Sequence, residues 1–458
     1  MFQDYSTLDF LPSRSQNEVD QINKKFYEKF SYPWPPMALH KSTDQEFSVT
    51  MLNQDIGSWN HDRVPVKPKI WVAGCGTNQA LLTALKFPES DVLGTDLSLQ
   101  SLKICENLAL QMGISNLTLE EKSINNVTYQ DQFDYIICTG VIHHNGDPAF
   151  PLKKLSRALQ PQGILELMVY NYYHMLFEAS YQKAIRKLLN GNGESDLDTQ
   201  LVITKKLITN FPVKNLMADH LSKFKLVHND AELADMFLQP VLHSYTIETF
   251  TRLITSCDLE YLHPCINQFD KAQGRLTWNL QFNDTEINNQ FESLPDIQRW
   301  EVSNLLMMER SPMFWFYLQR KDSIHKRKTE KEICLEFLNT GFEKCSSYLK
   351  EYLVDNKGQY HLNPELISTP VPLSPKDKLS RMIFNAVIPG ITIKDIFQQL
   401  NIETSFYNIN RARINLTTSA FPYLKAVSTQ NSKNKKTNSR KVCFAKNKKQ
   451  DPGGFDFQ

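Results

Sequence analysis

No apolar run among the 458 residues approaches the roughly 18 to 20 that a membrane-spanning helix needs. The first residues, Met1 to Ser6, lack the basic start of a secretion signal. A cytoplasmic protein with no membrane partner is therefore expected. The eight cysteines are scattered and never form Cys-x-x-Cys, which argues against a thiolate zinc site and against a disulfide framework. Cys75 and Cys138 read as small buried residues rather than nucleophiles. Neither sign of charge dominates: 51 Lys and Arg stand against 50 Asp and Glu, a net charge of +1, so no global pull toward nucleic acid is expected. No internal repeat stands out.

What remains is ordinary globular material, with 41% hydrophobic and 22% charged residues. The length exceeds what one core usually supports, which points to two or three units. The stretch that organises them is Lys69-Ile-Trp-Val-Ala-Gly-Cys-Gly-Thr-Asn78. An apolar run breaks at Gly74 and Gly76 and then opens into the helical pattern of residues 79–85. This is the signature of a buried parallel strand entering a helix through a tight turn, where glycine lets a ligand approach the backbone. Twenty-two residues past Gly74, Val92-Leu-Gly-Thr-Asp96 reads as a second strand ending on a carboxylate placed to accept both hydroxyl protons of a ribose. Gln79 stands where a dinucleotide fingerprint has its third small residue, which disfavours a nicotinamide cofactor.

Two more blocks follow. Residues 133–148 supply a buried strand, then Thr139-Gly-Val-Ile-His-His144 and Asp147-Pro148; residues 155–170 supply a helix end, a Pro/Gly turn and a further strand. With these four blocks in order, residues from about 65 to 170 resemble the class I S-adenosylmethionine-dependent methyltransferases, and the likeness continues more loosely to 322. The resemblance implies an α/β, Rossmann-like sheet and S-adenosylmethionine as cofactor. It implies cofactor contacts from Ala73, Gly74, Cys75, Gly76, Asn78, Asp96, Leu97, Ser123, Ile124, Thr139, Gly140 and Val141. The chain departs from the family's pattern at Val72, where an acidic residue is usual, at Asn78, where a third glycine is common, and at Ser123, where many relatives carry an Asp facing the adenine amino group.

Methyl transfer is an in-line displacement, so positioning does most of the work. His143 and His144 sit where a base could reach an acceptor, and a role as pocket wall or loop anchor is equally open to them. Tyr170 and Asn171, at the end of the following strand, are candidates to face substrate. So is Tyr32, in an aromatic, proline-rich arm whose rings could face a sulfonium or could simply glue the arm down. No Asn-Pro-Pro-Tyr or Asp-Pro-Pro-Tyr occurs, which argues against amino methylation of adenine, cytosine or glutamine in the manner of the families that use it.

Four regions follow. Residues 1–69 form an N-terminal arm, with Val19, Ile22, Phe26 and Phe30 on one face of a helix. Residues 70–322 form the methyltransferase domain, with a helical insertion at about 172–245 that reads as a substrate lid or as a homodimer surface. After a charged linker, residues 331–425 form a helical or winged-helix-like domain. Within it, residues 392–414 have the layout of two helices joined near Asn401, either a packing hairpin or a DNA reader carrying Arg411 and Arg413. Residues 426–458 carry eight Lys or Arg against Asp451 and Asp456 and are expected to be a disordered basic tail. The expected activity is methyl transfer to a small molecule or a protein. The alternatives are a SAM-binding scaffold that has lost turnover, and a methyltransferase directed to nucleic acid.

Overall fold

The computed structural model describes residues 7–8, 15–34, 36–189, 196–227, 229–369 and 374–427. The basic tail lies outside these residues from 428 onward.

The run Ile70–Ala73 is apolar on both sides because both faces of its strand are covered, and each of its residues is fully buried. It is β1 at the centre of a seven-stranded sheet. The other strands are β2 (Val92–Asp96), β3 (Leu117–Glu121), β4 (Phe133–Thr139), β5 (Leu159–Val169), β6 (Leu259–Pro264) and β7 (Phe314–Arg320). Their order is 3-2-1-4-5-7-6. The first five are parallel, while β7 runs antiparallel between β5 and β6. The strand order reverses between β1 and β4, and a ligand in an open α/β sheet binds at the carboxyl ends beside such a reversal. The expected Pro/Gly turn at residues 160–163 is taken up inside β5 as an irregularity, where pairing to β4 jumps from Leu159 to Ile164.

Aromatic and aliphatic residues of β4, β5 and β7 pack on one face against the helix Ile247–Ser256, with Trp278 and Trp300 sealing the far end. Thr246 and Thr249 form a reciprocal cap at the start of that helix. Four helices, Leu176–Leu188, Leu197–Thr209, Leu216–Ser222 and Asp230–Phe237, fill the insertion after β5. Their shared core includes Phe26 and Phe30 from the N-terminal helix Gln16–Lys29. Phe26 and Phe30, the C-terminal part of that helix's apolar stripe, therefore tie the arm to the inserted helices.

The boundaries between the other regions are less separate in space than along the chain. Helices Glu330–Leu338, Lys378–Ala386, Ile393–Gln399 and Phe406–Thr417 share a core, and Trp59 from the N-terminal region is part of it. Gln54 donates to the carbonyls of Thr417 and Leu424 and accepts from the Ala426 amide, with all three contacts buried. Beside these helices lies a β-hairpin, Ser347–Val354 with Tyr360–Thr369, whose first strand also pairs with Ala38–Ser42. Nor is the charged stretch before residue 331 a loose spacer. Glu330, 3% exposed, accepts from Asn279, Arg299 and Trp300, and Arg327 pairs with Asp296. A buried charge without partners costs several kcal/mol, so these contacts fix the linker against the sheet domain.

The pair of helices at 393–417 is a packing element. Phe397 is fully buried between them. Arg413, also fully buried, donates to Asn410 and approaches His263 of β6, and Arg411 pairs with Asp377. Neither guanidinium is presented as a free phosphate contact, which agrees with the packing hairpin among the two readings of these helices.

Candidate cofactor and acceptor site

The turn after β1 is possible only with glycine. Gly74 has φ +69°, and a β-carbon there would lie 2.4 Å from Val141 Cγ2; Gly76 has φ +54°, and a β-carbon would lie 2.4 Å from the Tyr32 carbonyl oxygen. The amides of Gly74 and Cys75 both donate to the Thr95 carbonyl at the end of β2. The two strand ends are thus tied edge to edge, and the bare backbone faces the switch point. The helix Gln79–Lys86 follows, with Gln79 donating to Thr139 Oγ1 at 2.5 Å across the reversal. Ala73 and Cys75 lie buried at the base of the turn.

Asp96 ends β2 and accepts from the amides of Gly76 and Ser98, both at 2.8 Å. Burial raises its carboxyl above the usual 3.8, opposed by the hydrogen bonds from Ser98 and Gly76. Each carboxylate oxygen can accept a second donor, so hydroxyls can still be bound there. Next to it, Leu97 and Ser123 line a pocket of about 410 Å³, closed on its other side by Asn17, Asp20, Gln21 and Lys24 of the N-terminal helix. Ile124 is buried beneath it, and Ser123 Oγ contacts Asp20 at 2.5 Å. A glycine cradle, a carboxylate at the next strand end and an adjoining open pocket fit the three parts of S-adenosylmethionine in order: methionine, ribose, adenine. Among the described residues no group of His, Cys, Asp and Glu could hold a metal ion.

The arm lies directly over the turn. The Thr77 amide donates to the Tyr32 carbonyl, Thr77 Oγ1 to the Pro33 carbonyl, and Asn78 Nδ2 to the Trp34 carbonyl at 3.2 Å. Asn78, placed by the sequence at the cofactor, is therefore engaged with the arm.

Beyond β4 the backbone turns at Gly140, φ +77°, into a short helical turn at Ile142–His144. His143 and His144 are both buried. His144 donates from Nδ1 to the Val241 carbonyl at 2.8 Å, which anchors the loop to the end of the lid. Neither ring nitrogen of His143 has a hydrogen-bond partner among the described residues. Its ring lies 3.9 Å from that of Tyr170, tilted by 35°. Burial pushes His144 down to about 4 and His143 well below 6.5, so both rings are neutral at pH 7.

Tyr170 belongs to a wall drawn from several segments. Gln239 donates both to Tyr170 Oη at 3.3 Å and to Asp235 Oδ1 at 2.6 Å, linking the end of β5 to the last lid helix. Burial pushes the phenols of Tyr27 and Tyr170 well above 10, with the charge of Asp235 as the next cause for both. The ring of Tyr32 stays 39% exposed, yet crowding by its surroundings pushes its phenol up to about 12, again with Asp235 and then Glu232 contributing. Asp235 itself is pushed up to about 6 by burial, opposed by its bond from Gln239. The ring of His144 stands between two of these groups, 6.5 Å from Tyr27 and 5.5 Å from Tyr170. The sequence pointed to Tyr32 and Tyr170, and to Tyr27 as another arm ring that could face a sulfonium, but gave no sign of Asp235.

Asn171 is placed differently. It is 2% exposed, donates to Ser311 Oγ at 2.8 Å and to the Pro312 carbonyl at 3.1 Å, and accepts from the Tyr173 amide. Its amide is used in holding the turn after β5 to the segment before β7.

Comparison with known proteins agrees with this geometry. Residues 73–211 match the family model described as a methyltransferase domain. The chain is 25% identical over 335 residues to an uncharacterized protein of Synechococcus sp., covering 70% of this chain and 78% of that one. It is 28% identical over 214 residues to an uncharacterized protein of Rickettsia prowazekii, covering 45% of this chain and 81% of that one. The structure of PKMT2 from Rickettsia typhi in complex with AdoHcy is similar in fold, with a TM-score of 0.52 and 18% identity over 87% of this chain and 78% of that one. Residues 73–211 therefore carry a methyltransferase domain, and the glycine turn, the strand-end carboxylate and the 3-2-1-4-5-7-6 order give it the Rossmann-like fold of its structural neighbours.

Proposed function

We propose that the methyl acceptor is an amine, and specifically a lysine side chain of a protein. The observation that carries this reading is the cluster in which the ring of Tyr170 lies 3.9 Å from His143 and 5.5 Å from His144, the ring of Tyr27 lies 6.5 Å from His144, and Gln239 links Tyr170 to the carboxylate of Asp235. Ring faces attract an ammonium, and a single acid beside them adds directed attraction, a combination suited to a long cationic side chain. Bound S-adenosylmethionine supplies a methyl group on a positively charged sulfur, open to in-line attack by a neutral amine. The residues then have three tasks. Gly74 and Gly76 bring backbone to the methionine end, and Asp96 holds the ribose. The aromatic wall strips water from the incoming ammonium, which works against the pull of Asp235 and favours release of its proton to solvent, leaving the neutral amine that can attack. Asp235, charged above about pH 6, draws the ammonium in.

His143 and His144 serve in this reading as wall and loop anchor. A ring held well below its ordinary pKa is a weak acceptor for an ammonium proton. Tyr32 closes the wall from the arm, and the lid selects the acceptor rather than forming a homodimer surface. The likeness to PKMT2, a protein lysine methyltransferase, supports the same choice of acceptor. A protein acceptor met in the cytoplasm completes the reading. The test is to incubate the purified chain with S-adenosylmethionine and lysine-containing proteins, then with the same proteins after chemical blocking of lysine. Label transfer that survives the blocking would rule out lysine.

A further inference from the structure

The pocket next to Asp96 contains a carboxylate that the methyl-transfer reading does not use. Asp20, on the N-terminal helix, is 6% exposed. It accepts only from neutral groups: Ser123 Oγ at 2.5 Å, Asn125 Nδ2 at 2.9 Å and, more distantly, Gln16 Nε2 at 3.4 Å. It forms no ion pair among the described residues, since the neighbouring Lys24 is drawn to Glu121 at 2.5 Å and Glu28 at 3.9 Å. A carboxylate this buried and without a cation is costly unless a donor-rich ligand completes its shell, and its two oxygens offer about four acceptor positions.

The place in the pocket defines that ligand. Leu97 directly follows the ribose-binding Asp96 and lines the same 410 Å³ pocket as Asp20 and Ser123. Whatever lies beyond the ribose enters it, and in S-adenosylmethionine that is adenine, whose amino group is a donor with two hydrogens. Ser123 alone is short and carries no charge. We infer that Asp20, held in place by Ser123 and Asn125, is the acceptor for the adenine amino group, so that the N-terminal helix supplies base recognition to a sheet that lacks it. The helix is fixed for the task at both ends of the cleft. Lys24 ties it to the end of β3, and Asn23 Nδ2 donates to the His144 carbonyl at 2.8 Å.

This inference rests on the cofactor assignment and is independent of the acceptor. Isothermal titration with S-adenosylhomocysteine and with its deaminated, inosine counterpart tests it. In the inosine compound an oxo group replaces the donor, and it should bind the wild-type chain about 10- to 100-fold more weakly. In Asp20→Ala, affinity for S-adenosylhomocysteine should fall by a similar factor and the discrimination between the two should collapse. Adding Ser123→Asp to Asp20→Ala moves the acid to the opposite wall of the pocket and should restore discrimination, which a helix-packing role for Asp20 would not allow. Thermal melting confirms that each variant is folded. Unchanged discrimination in a folded Asp20→Ala overturns the inference alone, as does equal loss for both compounds without rescue. A wild-type chain that binds neither compound overturns the cofactor assignment and the inference with it.

Discussion

The two halves of the site are built in opposite ways. The proposed cofactor half is made by short, continuous stretches, the glycine turn at residues 73–78 and the Asp96 strand end, and at Gly74 and Gly76 an added β-carbon would lie 2.4 Å from a neighbouring atom. The proposed acceptor half is made by side chains from three places far apart in sequence, the arm with Tyr27 and Tyr32, the end of β5 with Tyr170, and the inserted helices with Asp235, brought together by the packing of Phe26 and Phe30 into those helices. A surface made of backbone tolerates no added atom at its glycines. A surface made of separated side chains loses one contribution at a time and can be retuned to a different acceptor.

The contrast should be visible in variants. Gly74→Arg is expected to have the largest effect, loss of detectable S-adenosylhomocysteine binding by titration at millimolar ligand, because even a β-carbon meets Val141. Binding by a folded Gly74→Arg protein would break the distinction. Asp96→Ala should weaken S-adenosylhomocysteine binding by about 10- to 100-fold, the range for hydrogen bonds to a charged group.

Asp235→Asn should act on the other half only. With an amine acceptor at neutral pH, kcat/KM should fall about tenfold while cofactor affinity stays unchanged, a separation that parallel titration and steady-state rates can show. The sign of its pH dependence follows from its position. Asp235 has a folded pKa of about 6 against an ordinary 3.8, so its stabilisation of the fold is complete below about pH 4 and is lost as pH rises through 6. At neutral pH the charge is held at a cost that a bound ammonium offsets. The wild-type KM for the amine should therefore rise as pH falls from 7 to 5, and Asp235→Asn should flatten that rise. The neighbouring phenols all lie too high to contribute in that range. The smallest effect is expected from Asn171→Ala, a loss of about 1–3 kcal/mol in denaturant unfolding with KM for the acceptor unchanged. An acceptor KM that changes severalfold without loss of stability would return Asn171 to the substrate.

Local chemistry explains what could be read in advance. The glycine turn, the Asp96 strand end and the Thr246 cap depend on neighbours within a few residues, so their signals are contiguous in the sequence. The seven-stranded sheet is anticipated by the four blocks, and the last two strands by their apolar runs. Asp20 and Asp235 could not be recognised as site residues, because each is one acid on an amphipathic helix and becomes special only when that helix docks. Asn171 looked like a substrate contact from its place at the end of β5; its partners, Ser311 and Pro312, are 140 and 141 residues away. Arg413 looked available for phosphate because its burial depends on His263 of another strand, 150 residues earlier. Trp59 and Gln54 likewise belong to the C-terminal core for reasons that no local pattern carries.

The most direct test of the acceptor assignment is mass spectrometry of a lysine-containing protein after incubation with the purified chain and S-adenosylmethionine, alongside Asp235→Asn and Gly74→Arg. The predicted result is methylation confined to lysine side chains, reduced about tenfold in Asp235→Asn and absent in Gly74→Arg. Methylation on oxygen, on sulfur or on backbone nitrogen, or lysine methylation unaffected by Asp235→Asn, would contradict the account.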